Sequence, residues 1–134
     1  MLRIGFLPSD FNPMLLMLGE ANDLRNLAAV LRGFALEPTE MALERLPFCA
    51  ATRDTRLTLA PGTVVGLRRR SPEADFVWTL DASRADAFAD AVEALAHPDC
   101  LAGAELLGGE MAGDILVKVS RGEYTDGFLT RPAR

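Results

Sequence analysis

Two stretches of the sequence decide the fold, LLMLGEANDLRNLAAVLRGFA at 15–35 and FVWTLDASRADAFADAVEALA at 76–96. Each begins with an apolar run typical of a buried strand, passes through a polar residue suited to a helix N-cap, and ends in an amphipathic helix. The two stretches align at an offset of 61 residues. Capping and helical periodicity force most of these matches in any strand–helix pair, so the alignment leaves open whether the chain contains an internal repeat.

Both helices are bounded by recognisable signals. The first is predicted to start at Asn22, a candidate N-cap, and to end before Pro38; the second starts at Asp81 or Ser83 and ends before Pro98. Their apolar faces are formed by Leu24, Leu27, Ala28, Leu31, Phe34 and Ala35, and by Ala85, Phe88, Val92, Leu95 and Ala96.

Apolar and alternating runs around the helices predict strands. The dipeptide Pro61-Gly62 suggests a hairpin, so residues 55–80 are expected to form a three-stranded antiparallel meander. We therefore expect an α+β fold with an antiparallel sheet of about five to seven strands and two helices packed on one face. A ferredoxin-like βαββαβ core with an added hairpin is its most economical version. Residues 1–120 are expected to form a single domain, followed by an irregular tail, 121–134.

Composition indicates an ordinary soluble domain. Apolar residues make up 49% of the 134 residues and charged residues 25%. No apolar run approaches the roughly 18 residues of a membrane span, and no secretory signal is recognisable, so we expect a cytoplasmic protein with no membrane partner. With two cysteines, one histidine and no C-x-x-C motif, neither a disulfide, a metal site nor a cofactor is expected.

The charge is unevenly distributed along the chain. Residues 1–70 carry a formal charge of +2 and residues 71–134 carry −7, which gives the net charge of −5. An acidic half repels phosphate backbones, so nucleic acid is not expected as a partner. The same charge favours a basic protein.

The stretch LPFCAATRDTRL, 46–57, raises the question of a reactive cysteine. A C-x5-R anion loop fails because Thr55 stands where the arginine is needed and the loop has no glycine. One alternative is a Cys49 thiolate whose pKa is lowered by Arg53 or Arg56, with His97 as a base. The other is a buried structural cysteine. The sequence does not show whether Cys49, His97 and Cys100 lie near one another.

Three other groups of residues are candidate contact sites. Arg68 and Arg70 lie on one face of a predicted strand end, which typically protects a sheet edge and can also bind an anion. The acidic face of the second helix suits a basic partner; it consists of Asp86, Asp90 and Glu93. Tyr124 and Phe128 in the tail suit packing on the domain or on a partner subunit.

These patterns contain no assembled catalytic set, so we expect a small acidic interaction module rather than an enzyme. It would act through protein contacts, as a homodimer or as an immunity- or antitoxin-like binder of a basic partner. The alternative is a small-ligand-binding protein or enzyme with an anion or thiol site around Cys49, Arg53 and Arg56. The candidate binding residues are Arg53, Arg56, Arg68, Arg70, Asp86, Asp90 and Glu93.

Overall fold

A computed structural model describes residues 1–8, 13–52, 55–71, 73–108 and 115–122. Within these ranges the chain forms nine strands and two α-helices. In chain order they are β1 (Leu2–Leu7), β2 (Met14–Leu18), α1 (Ala21–Leu36), β3 (Met41–Ala42), β4 (Cys49–Ala51), β5 (Arg56–Pro61), β6 (Gly66–Arg69), β7 (Asp75–Leu80), α2 (Ala82–Leu95), β8 (Gly103–Leu106) and β9 (Leu116–Arg121). A short 3-10 turn, Leu43–Arg45, follows β3.

The strands form two mixed sheets. The five-stranded sheet has the order β4-β1-β2-β9-β8, and the four-stranded sheet has the order β3-β5-β7-β6. The predicted α+β class with two helices is confirmed. The expected single antiparallel sheet and ferredoxin-like core are only partly matched, because strands that follow each helix cross to a separate sheet and pair there in parallel.

The predicted meander at 55–80 is wrong in its pairing. β5 and β6 are not neighbours; β7 lies between them, parallel to β5 and antiparallel to β6. The Pro61-Gly62 turn therefore carries the chain past one strand position instead of closing a hairpin. Local turn signals predict that the chain reverses, but they do not determine which strand fills the neighbouring position.

The first and second halves of the chain repeat one plan with exchanged strands. Each half contains an antiparallel hairpin, β1–β2 or β6–β7, then a helix, then a second antiparallel pair, β3–β5 or β8–β9. The last strand of each half pairs in parallel with the hairpin of the other half. Met14 of β2 lies opposite Leu116 of β9, and Asp75 of β7 lies opposite Arg56 of β5. Met14 and Asp75 are also matched in the 61-residue alignment, so the structure repeats the arrangement that the alignment suggested.

One hydrophobic core draws on both sheets and both helices. All the residues predicted on the apolar helix faces are buried except Ala35, which is half-buried against the core. Trp78 of β7 stacks on Phe88 of α2 at a ring-centroid distance of 5.9 Å. Helix α2 is capped by Asp81, whose carboxylate accepts from the Arg84 N–H at 2.7 Å, as predicted. Helix α1 begins at Ala21, and its N-cap is Glu20, two residues before the predicted cap Asn22.

Candidate functional site

Helices α1 and α2 pack against each other and bring charged residues together on their exposed side. Arg32 of α1 contacts three carboxylates of α2: its guanidinium lies 3.5 Å from Asp86 and 2.9 Å from Asp90, and it also pairs with Glu93. The hydrogen bonds that the Arg32 guanidinium donates to Glu93 and Asp90 raise its pKa above the usual value for arginine. One cation therefore stands among three anions, which leaves a formal charge of −2.

A cleft of about 610 Å³ opens beside this cluster, between the end of α1 and the start of α2. Its lining combines small apolar side chains with the acidic pair; the lining residues are Arg32, Ala35, Leu36, Ala82, Ser83, Asp86, Ala87 and Asp90. Leu36 is 85% exposed, and the Asp86 and Asp90 side chains are 64% and 72% exposed. The cleft thus offers apolar contact area and accessible carboxylates at one place.

The opposite end of the helix pair, where α1 starts and α2 ends, is closed by arginine side chains that donate to backbone carbonyls. The alignment of the halves matches Asp86 with Arg25 and Ala35 with Ala96, and Arg25 donates from its guanidinium to the Ala96 carbonyl at 3.5 Å. Arg121 of β9 adds a bond of 2.8 Å to the Leu95 carbonyl. These arginines satisfy carbonyls that a helix C-terminus leaves without intrahelical partners. At the equivalent open end an aspartate takes the position of the arginine.

The structure places the three predicted acidic residues on one exposed face of α2. Sequence reasoning missed Arg32, which partly neutralises them, and Leu36, which extends the apolar side of the cleft. The alignment of the two helices could have pointed to Arg32, because it matches Arg32 of α1 with Glu93 of α2. Two packed helices with opposite charges at matched positions favour an ion pair between them.

Cys49 lies at the start of β4 and is buried, with 6% of its surface exposed. Burial, followed by the nearby charges of Asp23 and Glu44, raises the pKa of its thiol to about 11. A reactive thiolate requires a lowered pKa. The environment of Cys49 therefore disfavours the thiolate that the reactive-cysteine hypothesis requires.

Of the three candidate residues of the thiol site, Cys49 and Arg56 lie in different sheets, and Arg56 is exposed at the start of β5. Arg53 lies outside the described residues. Cys49 and Cys100 are free cysteines. Cys49 belongs to edge strand β4, whereas Cys100 lies beside Gly103 of the opposite edge strand β8. Four inter-strand spacings separate those edges, about 19 Å.

His97 follows α2, where its exposed ring accepts a hydrogen bond at Nδ1 from the Asp99 N–H at 3.1 Å. Its backbone carbonyl accepts from Arg121 of β9 at 3.0 Å. Two strands, β2 and β1, separate β9 from the strand that carries Cys49. The structure thus places His97 in a helix-ending turn, away from the position expected of a base for that thiol.

The arginine run Arg68–Arg70 lies at the end of β6, and each of its side chains has a different partner. Arg68 donates to the Val64 carbonyl at 3.4 Å, and Arg70 lies 3.7 Å from the Glu40 carboxylate. Arg69, which was not a candidate, covers the rings of Phe6 and Phe76 at 5.0 and 5.5 Å from their centroids. This cation–π packing ties the two hairpins together. The run contributes structural contacts, and its binding of an anion stays a prediction.

Comparison with protein-family models, with curated proteins and with solved structures found no match to this chain. Within the described ranges, neither helix has the length and apolarity needed to cross a bilayer. The same residues contain no group of three or more side chains suited to hold a metal ion.

Proposed function

We propose that this protein is a protein-interaction module that binds a basic segment of another protein in the cleft between the end of α1 and the start of α2. The observation that carries the proposal is the pairing of an apolar cleft with two exposed carboxylates, Asp86 and Asp90, between the end of α1 and the start of α2. Charge complementarity of this kind steers association and selects the sign of the partner.

The shape and chemistry of the cleft favour a lysine or arginine flanked by apolar residues. The aliphatic stem of such a side chain would lie against Ala35, Ala87 and Leu36, and its cationic head would reach Asp86 and Asp90. The exposed Leu36 side chain would pack against an apolar neighbour of that residue. An amphipathic helix or strand bearing a basic residue beside an apolar one meets both requirements.

Arg32 supplies an internal competitor for the acidic pair. Its guanidinium occupies one side of both carboxylates, so an incoming cation must share them or displace it. Because Glu93 also pairs with Arg32, the arginine retains a partner when the cation arrives. Binding at this site is therefore expected to be reversible and to weaken as salt screens the charges.

The experiment compares three tagged proteins in pull-downs from lysate of the native cell, read by mass spectrometry. The first is the parent chain, the second carries Asp86→Asn and Asp90→Asn, and the third carries Glu73→Gln and Glu105→Gln. Glu73 and Glu105 are exposed and do not line the cleft, so the third protein has the same net charge as the second.

We expect one stoichiometric protein with a basic, apolar-flanked segment to be retained by the parent and by the Glu73/Glu105 control. The Asp86/Asp90 variant should lose it by about tenfold or more, since each removed charge contact in an interface costs upwards of a kcal/mol. Equal retention by all three proteins, or retention that follows net charge alone, contradicts the proposed site.

A further inference from the structure

The two sheets have four edge strands, and three of them carry features that oppose pairing with another chain. β3 has only two residues and β4 only three. β6 ends in the arginine run Arg68–Arg70, and Ile115 approaches its edge, where the Ile115 N–H donates to the Leu67 carbonyl at 3.3 Å. Short strands, charged side chains and covering segments are the usual protection of a sheet edge. These three edges are therefore poorly suited to accept a further strand.

The fourth edge strand, β8, lacks these features. It has four residues, GAEL, without a proline, and Glu105 is its only charged side chain. Two large apolar side chains lie exposed near this edge, Leu106 by 55% and Leu101, in the loop before the strand, by 83%. An edge that combines a regular backbone with exposed apolar side chains is suited to pairing with an extended segment.

The register of β8 against β9 determines which backbone groups of β8 point outward. Just beyond the end of β8, the Leu107 N–H donates to the Val117 carbonyl at 2.8 Å. In an antiparallel ladder such hydrogen-bonded pairs alternate with pairs whose N–H and carbonyl groups point away from each other. The backbone groups of Ala104 and Leu106 therefore face the open edge, and no hydrogen bond among the described residues engages them.

We propose that β8 is a docking edge for an extended segment of another protein, which pairs antiparallel with Ala104 and Leu106 and carries a basic residue opposite Glu105. Each of the two paired residues offers one donor and one acceptor, so the pairing forms about four backbone hydrogen bonds. Opposite charges on facing residues of two strands are stabilising, so Glu105 selects the sign of the partner. Apolar residues on both sides of the basic one lie beside Ala104 and Leu106.

A second copy of the chain fits this edge less well than a basic segment does. Two β8 strands that use all four edge-facing groups must pair antiparallel, with Ala104 of one copy opposite Leu106 of the other. That register places the two Glu105 side chains directly opposite each other, where like charges are destabilising. The net charge of −5 adds to the repulsion between copies. Glu105 therefore opposes self-association and attracts a basic residue at the same position.

This edge is separate from the cleft of the proposed function. A side chain at Gly103 of β8 would lie 3.2 Å from Leu95, at the end of α2, whereas the cleft lies at its start. The 14 residues of α2 span about 20 Å. In the pull-downs, a protein held by β8 should be weakened by the Glu73/Glu105 variant, and a protein held by the cleft by the Asp86/Asp90 variant. Failure of one site therefore leaves the other intact.

The test is an NMR titration of the full chain with a capped peptide of sequence Thr-Val-Lys-Val-Thr. Two N-methylated forms of the peptide are matched controls. Methylation of both valine nitrogens removes the N–H groups that face β8, whereas methylation of the lysine nitrogen removes one that points away from it. The titrations are repeated with the variant carrying Asp86→Asn and Asp90→Asn, so that uptake of the peptide by the cleft is separated from pairing at β8.

We expect the largest amide shifts at Ala104 and Leu106, in the parent and in the variant alike. Binding there should disappear when both valine nitrogens are methylated and persist when the lysine nitrogen is methylated. Shifts confined to the cleft, equal binding of the two methylated peptides, or no binding of the unmodified peptide contradicts the proposal. Shifts at Ala104 and Leu106 on concentrating the protein alone also contradict it, because a second copy would then occupy the edge.

An exchange of charge tests the role of Glu105. Glu105→Lys is compared with Glu73→Lys, which changes the net charge equally at an exposed position outside β8. The parent and Glu73→Lys should bind the lysine peptide at least about threefold more tightly than the same peptide with glutamate in place of lysine, and Glu105→Lys should reverse that preference. A preference that Glu105→Lys leaves unchanged overturns the assignment of the basic residue to the position opposite Glu105.

Discussion

The two ends of the helix pair occupy matched positions in the two halves of the chain, yet one end is filled by arginine side chains and the other opens into a cleft. At the filled end Arg25 donates to the Ala96 carbonyl. At the open end Asp86 stands in the matched position, and a cleft lined in part by Ala35 lies beside it. The comparison teaches that different side chains, Arg25 and Arg121 at the closed end and Asp86 at the open end, separate a closed end from a candidate binding site.

The largest effect is expected where the two halves share a core. Met17 and Trp78 are matched, fully buried residues on β2 and β7. Met17→Ala should lower the free energy of unfolding by about 2–5 kcal/mol and Trp78→Ala by about 3–5 kcal/mol. Because each sheet contains strands of both halves, both variants should unfold in one transition. Urea titration followed by circular dichroism tests this, and two separate transitions would show that the halves are independent.

A smaller effect is expected for Cys49 in β4, the edge strand that pairs with β1. In the described part of the second half no equivalent strand pairs with β6, and a single bridge joins Leu67 of β6 to Ile115. The Cys49 pKa is raised from 9.0 to about 11, so the unfolded chain loses this proton first as pH rises. Stability should therefore fall from about pH 9 to pH 11, by at most about 1.4 kcal/mol per pH unit more than in Cys49→Ala.

Urea titrations across that pH range measure the difference between the parent and Cys49→Ala. Cys100→Ala, which removes the other thiol, serves as the control and should follow the parent. Parallel pH profiles of the parent and Cys49→Ala would show that the thiol does not titrate differently in the folded state.

The helix caps should produce effects of about 1 kcal/mol. The Asp81 carboxylate accepts from Arg84 N–H in α2, whereas in α1 the Glu20 N–H donates to Asp23 at 2.9 Å. Asp81→Ala and Asp23→Ala should each lower the free energy of unfolding by about 1 kcal/mol, since each removes the acceptor of a helix-start N–H. Asp81→Asn keeps an acceptor and should stay within about 0.5 kcal/mol of the parent.

The smallest change in stability is expected for Asp86→Arg, which makes the open end resemble the filled one. The new guanidinium should reach the Ala35 carbonyl as Arg25 reaches that of Ala96, so the free energy of unfolding should change by no more than about 0.5 kcal/mol. Binding of the basic partner should nevertheless be lost, because like charges would meet in the cleft. A variant that retains the partner in the pull-down would contradict the role given to this position.

The helices and their buried faces followed from the sequence because periodicity and capping are local properties. Leu24, Leu27 and Leu31 lie on the core side of α1, and Asp81 caps α2, as predicted. The sheets could not be predicted in the same way. Parallel partners such as Met14 and Leu116 lie about a hundred residues apart, and nothing in a local pattern specifies that pairing.

The candidate site was predictable only in part for a related reason. The spacing of Asp86, Asp90 and Glu93 places them on one helix face. Their contact with Arg32, and the cleft beside Leu36, depend on how α1 packs against α2. Arg25 in α1 and Asp86 in α2 can be compared only once the strand registers show that the two positions are equivalent.

The most direct measurement is hydrogen exchange of the protein in complex with its captured partner, compared with the protein alone. We predict added protection in residues 32–36 and 82–90, around the open cleft, with little change near Arg25 and Ala96, and weaker protection at high salt. Protection centred on the Arg25 end, on either outer sheet face, or nowhere on the helix pair would contradict the assignment of the cleft as the binding site.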